Sequence, residues 1–518
     1  MPTSLYTEAR VIEDVVDHAA DAWPDRIAVR DRSRALTFAE LRDRSRRLAD
    51  GLLRSGLRRG DRVLEALPNG VDLLLCELAL AAAGLVRVPL NPRLGPREWH
   101  GILADSGARG MVVDRRLCGA DGQPIADRIG AEITIRVDAG GLESLVAGGA
   151  DWVRATSTPD EVVGLAYSSG TTGMPKGAIR THRMRLASMR AMLRDVLAPT
   201  GEVGAYLHAG PAIHTSGLFT LPMLALGAPQ VMVDHATPAD IAGHVADHSI
   251  THLALVPSVI DALTALPEQG RRAFAGVRML AYAGSPMPAT QIRRAAERLT
   301  PRLVQYYGLV EAMPPLSVLS IDDLVRGLAG EHRLLLSAGH VIQGADIRIE
   351  DGAPGEVTVS GPMVTPGYWN ASDRSDLGKS FCGERLRTGD IGRLEDGILF
   401  LTDRRNDMLI SGGYNVYPSE IEAAVAPLRA IRDAIAVGLP DERWGQRIVL
   451  AYTTASGAEL TEADREALDE ALTALTKHKR PKSLHRFDSL PLGATGKISR
   501  RAVVDLLTTS KPLTPERH

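Results

Sequence analysis

At 518 residues the chain exceeds what one hydrophobic core fills and is long enough for two or more domains. Sixty Lys and Arg against 63 Asp and Glu give a net charge of -3, which excludes a global field suited to nucleic acid or an anionic membrane and points to small-molecule partners. Cys76, Cys118 and Cys382 lie far apart without paired spacing, arguing against a disulfide framework or zinc knuckle and fitting a reducing cytoplasm.

The start, MPTSLYTEARVIEDVV, lacks a basic region followed by an apolar run, so no export signal is expected. Further on, Thr37 and Glu40 have capping-box spacing, and Leu41, Leu48 and Leu52 mark one face of a helix that ends at RRGDR before a short strand. The most apolar stretch, LLLCELALAAAGLV, is interrupted by Glu77, which predicts no membrane span. Val162 to Tyr167 reads as an apolar strand leading into YSSGTTGMPKGA. Glycines there let backbone amides approach anionic oxygens, and Lys176 supplies a compact positive charge. In the familiar phosphate loop of nucleotide hydrolases, glycine directly precedes the lysine and a hydroxyl residue follows it. Here Pro175 precedes and Gly177 follows, leaving a phosphate loop of another kind or a plain turn.

Helix and strand signals alternate through the first four hundred or so residues, the pattern of an α/β fold with mixed sheets flanked by helices. GEVTVSGP and IGRLEDGILFLTDR predict short strands and a hairpin turning at Asp396-Gly397, where the sheet type is expected to change. After Asp403 and the polar RRND, DAIAVGLP and RIVLAYTT read as strands and TEADREALDEALTAL as an amphipathic helix, enough for a small domain. LPLGATGKISRR follows, and the tail TTSKPLTPERH is expected to fray.

YSSGTTGMPKGA, QYYGLVEA, RTGDIGRL, DRRNDMLISGGYNVYPSEIE and LPLGATGKISRR occur in this order. Together they resemble the adenylate-forming superfamily: acyl-CoA synthetases, the adenylation domains of peptide synthetases and luciferase-like enzymes. The resemblance runs from about residue 20 to about residue 505. It implies a large N-terminal adenylation domain with an acyl pocket over residues 1–403, a hinge at 404–407 and a mobile α+β lid over 408–518. It also implies two half-reactions. A carboxylate attacks the α-phosphate of ATP, giving an acyl adenylate and pyrophosphate; a thiol, commonly that of coenzyme A, then displaces AMP.

On that resemblance Ser168, Ser169, Thr171 and Thr172, with the backbone at Gly170 and Gly173, would cradle the β and γ phosphates while Lys176 neutralises charge. Tyr307, followed by Gly308, matches the tyrosine that stacks on adenine, and Glu311 the acid that coordinates Mg²⁺, a hard ion suited to oxygen ligands. Relatives usually carry threonine where this chain has Val310, which removes a hydroxyl from the nucleotide side of the pocket. Gly284 and Ser285 in YAGSPMP align with the other wall of the adenine site, although a simple strand-to-loop turn reads equally well. Asp390 matches the acceptor of both ribose hydroxyls, and Arg404 an arginine that also contacts the ribose. Asn406 stands at the pivot. Lys497 matches the lysine that bridges acyl and phosphate oxygens during adenylation. Ser411, Gly412 and Gly413 either line a pantetheine tunnel or form a helix-entry turn. KHKRPK is either a solvated face or a site for coenzyme A phosphates.

His214 resembles the gate beside the substrate carboxylate, with a packed structural histidine as the other reading. Thr215, Ser216, Gly217, Val256, Pro257, Ala312, Met313 and Pro314 are the acyl-pocket candidates, mostly small or apolar. No aspartate stands near PAIHTSG to hold an α-ammonium, which disfavours amino-acid substrates and leaves an acid uncharged apart from its carboxylate. The implied activity is an ATP-dependent, Mg²⁺-requiring acid:CoA ligase. The alternatives are transfer to a carrier-protein thiol or another nucleophile, activation of an unusual oxyanion such as nitrite, and a catalytically silent nucleotide-binding protein.

Overall fold

The computed structural model describes residues 8–92, 94–119, 122–148, 157–167, 176–350, 352, 354–370, 380–404, 409–411, 414–441, 444–493 and 498–509. Helix Phe38–Arg54 begins as its sequence predicts. Thr37 Oγ1 accepts from the Glu40 backbone N–H while Glu40 Oε2 accepts from that of Thr37, closing the capping box. Leu41, Leu48 and Leu52 are 1%, 0% and 0% exposed. Burying each stabilises the fold by about 2 kcal/mol.

Their stripe packs on helix Val71–Ala82, which is apolar nearly all round and buried accordingly. The charge inside it is answered. Glu77 receives Arg87 Nη1 at 3.0 Å and Arg185 Nη2 at 2.5 Å, and Arg87 Nε also donates to Glu65 at 2.7 Å. Burial raises the pKa of Glu77, but its two arginines outweigh that and hold it below the ordinary value. Glu65, with Arg87 as its nearest cation, is pushed up by burial.

Three sheets form among the described residues. In the six-stranded sheet, Ile133–Arg136, Gly110–Val113, Arg62–Ala66, Val86–Pro89 and Val162–Tyr167 run parallel, and Gly177–Thr181 closes the edge antiparallel. The fourteen-stranded sheet has a parallel run, Gln230–Met232, Ala205–His208, Ile250–Leu255, Met279–Tyr282 and Leu303–Tyr307. It continues antiparallel through Ser317–Leu319, Gly339–Val341, Ile398–Arg404, Arg385–Glu395, Gly355–Ser360 and Asp346–Glu350. The change of sense therefore falls at Leu303–Tyr307, ahead of the GEVTVSGP segment where the sequence suggested it. Residues 308–316 are too few for a crossover helix, so the chain returns antiparallel. The expected turn at Asp396-Gly397 is present, with φ of 51° and 78°.

The third, five-stranded sheet holds the C-terminal strands, dominated by the hairpin Ile431–Asp441 with Gly445–Thr454. Helix Glu462–Thr473 lies beside it, capped by Thr461. Ser419 Oγ donates to the Thr402 carbonyl at 2.5 Å, linking helix Pro418–Val425 to strand Ile398–Arg404 of the large sheet. The architecture is α/β with mixed sheets flanked by helices, a large N-terminal part and a smaller C-terminal one. Cys76, Cys118 and Cys382 are free thiols. Among the described residues no helix is long and apolar enough to cross a membrane.

Candidate active site

The parallel run puts its carboxyl ends at one edge, where ligands of such sheets bind. His208 ends one strand and leads to His214; Leu255 ends the next and leads to Pro257. Tyr282 leads to Gly284 and Ser285, and Tyr307 to Gly308, Glu311, Ala312 and Met313. Sequence segments scattered over a hundred residues are thus neighbours by topology.

Tyr307 and Asp390 meet directly. The phenolic hydroxyl donates to Asp390 Oδ2 at 2.5 Å. Asp390 is 6% exposed, and its backbone N–H donates to Thr388 Oγ1 at 3.1 Å. It sits opposite Arg404 in the antiparallel ladder. At the far end of the 308–311 turn, Glu311 Oε1 accepts from the Tyr368 hydroxyl at 3.1 Å. Lys176 Nζ lies 5.6 Å from the centroid of the same Tyr368 ring. Gly308 is required by close approach: a Cβ there would come within 2.7 Å of the Pro314 ring.

Segment 363–369 ties these parts together. Ile179 N–H donates to the Gly367 carbonyl at 3.1 Å, Trp369 N–H to Gly177 at 2.8 Å, Thr365 N–H to Glu311 at 2.8 Å and Met313 N–H to Met363 at 2.9 Å. It spans the edge of the six-stranded sheet and the turn carrying Glu311. The loop with Ser168, Ser169, Gly170, Thr171, Thr172 and Gly173 lies outside the described residues. Its two ends are fixed, because Tyr167 pairs with Gly177. The Tyr167 hydroxyl also donates to Asp105 Oδ2 at 2.6 Å. Burial and that carboxylate push the Tyr167 pKa upward.

The PAIHTSG segment is held from below. Asn69 Nδ2 donates to the carbonyls of Gly210 at 2.8 Å and Val233 at 2.9 Å, and Asn69 Oδ1 accepts from Ala212 N–H at 2.9 Å. His214 is exposed and opens the 3₁₀ turn Thr215–Phe219. Ser216 is buried, and its hydroxyl meets His208 Nδ1 at 3.0 Å, while His208 Nε2 faces Gln230 Oε1 at 2.9 Å. With the Gln230 oxygen accepting, the proton belongs on Nε2 and Nδ1 accepts from Ser216. Burial lowers the His208 pKa to about 4. A Cβ at Gly217 would stand 1.7 Å from the Ala212 oxygen, so only glycine fits. Ala312 and Met313 are buried in the same core as Tyr206, Phe219 and Tyr306; Phe219 stacks on Tyr206 at 4.9 Å and meets Tyr306 edge-to-face at 6.0 Å.

On the C-terminal side, Ser411 is buried at the end of strand Leu409–Ser411. Gly412, Gly413, Asn406 and Lys497 lie outside the described residues. Leu492 and Ile498, on either side of residues 494–497, form an isolated antiparallel bridge. Sequence reading missed Tyr368, which joins Lys176 to Glu311, and Arg180, whose Nη2 donates to the Val310 carbonyl at 3.2 Å. For Arg180 a signal existed: alternation in strand Gly177–Thr181 puts it on the face occupied by Lys176. Tyr368 gave none, because its partners are distant in sequence.

The AMP-binding enzyme family model matches residues 16–369, and the AMP-binding enzyme C-terminal domain model matches 420–497. Feruloyl-CoA synthase of Amycolatopsis sp. is 33% identical, covering 93% of this chain and 96% of its own. Long-chain-fatty-acid–CoA ligase FadD13 of Mycobacterium tuberculosis (strain H37Rv) is 29% identical, covering 92% and 94%. The amide bond synthetase McbA from Marinactinospora thermotolerans has a similar structure, with a TM-score of 0.84 at 25% identity over 96% of this chain and 99% of its own. A motif order spanning the sequence and a family model covering well over half of it agree: the chain belongs to the AMP-binding enzyme family, within the adenylate-forming superfamily.

Proposed function

We propose that the protein is an AMP-forming acid:CoA ligase. The observation that supports this most is the pair of groupings at the two ends of the 308–311 turn. Tyr307 with Asp390 would receive the adenosine end of ATP, and Glu311 with Tyr368 and Lys176 the phosphate end. A nucleotide laid along that turn meets an aromatic ring, then a carboxylate acceptor, then cationic and metal-binding groups, in the order of its own chemistry.

The carboxylate of the acid attacks the α-phosphorus, a P–O bond forms, and the bond to the bridging oxygen breaks to release pyrophosphate. Asp390 orients the nucleotide through the ribose hydroxyls. Lys176 and the amides and hydroxyls of residues 168–173 hold the leaving phosphates. Lys497 stabilises the negative charge that crowds the α-phosphate as the acid approaches. Mg²⁺ suits the donor: the Glu311 carboxylate is a hard oxygen ligand, and the ion would take its other ligands from phosphates and water. When bound, the ion would neutralise charge on the phosphate chain. The coenzyme A thiol then attacks the acyl carbon and AMP leaves. Withdrawal of Lys497 by a hinge at 404–407, including Asn406, would open the path for the thiol past residues 411–413. His214 beside the acyl pocket would gate the carboxylate.

The similarity to an amide bond synthetase supports a second reading, in which an amine takes the place of the thiol. Pyrophosphate release across a panel of carboxylic acids, with and without coenzyme A and amines, tests both. Acid-dependent release with acyl-CoA formed is expected. Release with amide product and no thioester would overturn the first reading in favour of the second, and no release with any acid would overturn both.

A further inference from the structure

Arg180 stands four residues past Lys176, on the same face of strand Gly177–Thr181 as Ala178. Ala178 bridges to Tyr368 through the backbone, and Glu311, which accepts from the Tyr368 hydroxyl, is close enough to act on the Arg180 charge. The guanidinium is deeply enclosed by protein, yet the residue is not sealed from solvent. One donor, Nη2, is used on the Val310 carbonyl at 3.2 Å. Nε is buried and has no hydrogen-bond partner among the described residues.

Among the described residues no carboxylate forms an ion pair with this cation. Glu77 is held by Arg87 and Arg185, and Glu65 by Arg87. Glu311 gives its Oε1 to Tyr368. Burial, with Arg185 and Arg87 adding repulsion, lowers the Arg180 pKa to about 10, so the side chain is still charged at neutral pH. A buried guanidinium with an unused N–H is costly unless something anionic completes it. Its anchor is the Val310 backbone carbonyl, one residue before Glu311.

We propose that Arg180 is an oxyanion-binding residue of this site, anchored through Nη2 on Val310 and presenting its remaining donors to an anionic oxygen of the bound ligand. The anchor holds the guanidinium beside the turn that carries Glu311. The identity of the ligand rests on the functional reading above. A phosphoryl oxygen of the nucleotide and a second carboxylate on the acid share the required chemistry.

Affinities of the full-length protein for adenosine, AMP and ATP·Mg²⁺, measured by calorimetry for wild type, Arg180→Gln and Arg180→Lys, test the proposal. Arg180→Gln is expected to bind adenosine as wild type does and AMP at least about tenfold more weakly, with Arg180→Lys recovering part of the loss. If AMP binding is unchanged but KM rises about tenfold for dicarboxylic acids and not for monocarboxylic ones, the proposal stands with the carboxylate as source. Equal weakening of adenosine and AMP would mark Arg180 as merely structural, and no change in AMP or dicarboxylic acids would also overturn the proposal. Should Arg180→Gln fail to fold, Arg180→Lys is held to the same comparison. Failure of the wild type to release pyrophosphate with any acid would remove the ligase reading alone, because the adenosine and AMP comparison needs no turnover.

Discussion

Tyr307 donates its hydroxyl hydrogen to Asp390 at 2.5 Å, tying the last parallel strand of the large sheet to the long hairpin 83 residues later in sequence. The bond orients a nearly buried carboxylate with capacity for further donors. Asp390→Ala should therefore weaken ATP binding by roughly a hundredfold and abolish discrimination between ATP and its 2′-deoxy analogue. Tyr307→Phe keeps the ring and loses the tether, with an expected loss of about tenfold. Calorimetric titration with the two nucleotides checks both, and retained discrimination in Asp390→Ala would remove Asp390 from the ribose.

Glu311→Gln keeps the shape of the side chain and removes its charge. The expected result is a Mg²⁺ requirement raised about tenfold or more in pyrophosphate release. Tyr368→Phe, which removes the hydroxyl that donates to Glu311 Oε1, should shift the same titration by a few-fold. A Mg²⁺ titration unchanged in Glu311→Gln would place the metal elsewhere.

Lys497→Ala should cost the adenylation step about three decades, since a charge about 4 Å from the reacting phosphate contributes roughly 4 kcal/mol at an effective dielectric near 20. Thioester formation from supplied acyl adenylate should be spared. Equal loss in both half-reactions, followed separately, would refute that division of labour.

Burial pushes His182, His208 and His252 each down to about 4 from an ordinary 6.5. Between those values the unfolded chain binds protons that the folded chain refuses, so stability is complete above about pH 6.5 and is lost as pH falls toward 4. Each histidine should account for about 2 kcal/mol between pH 7 and pH 5. Denaturant melts at several pH values should show His208→Gln reducing the slope by about 1.2 kcal/mol per pH unit over pH 4.5 to 6. An unaltered slope would mean that His208 is protonated in the folded protein.

Local signals carried much of the fold. Thr37 with Glu40 marked a helix start, Asp396-Gly397 a hairpin, and Val162–Tyr167 a strand, because in each case the deciding interaction lies within a few residues. The change of sheet sense was misplaced, since it depends on which strands pair rather than on any one strand. Motif order nominated Tyr307, Glu311 and Asp390, and the fold brings Tyr307 and Asp390 into contact. Tyr368 and the anchoring of Arg180 on Val310 were not, for their partners lie 57 and 130 residues away.

The hairpin that presents Asp390 also has Arg404 as its cross-strand partner, immediately before residues 405–408. Ladder pairs of this kind transmit a tilt along a strand with little slack. Nucleotide docking on Asp390, as proposed above, would therefore act on the same rung from which the polypeptide departs for its C-terminal sheet, and would need no separate messenger element to reach that point.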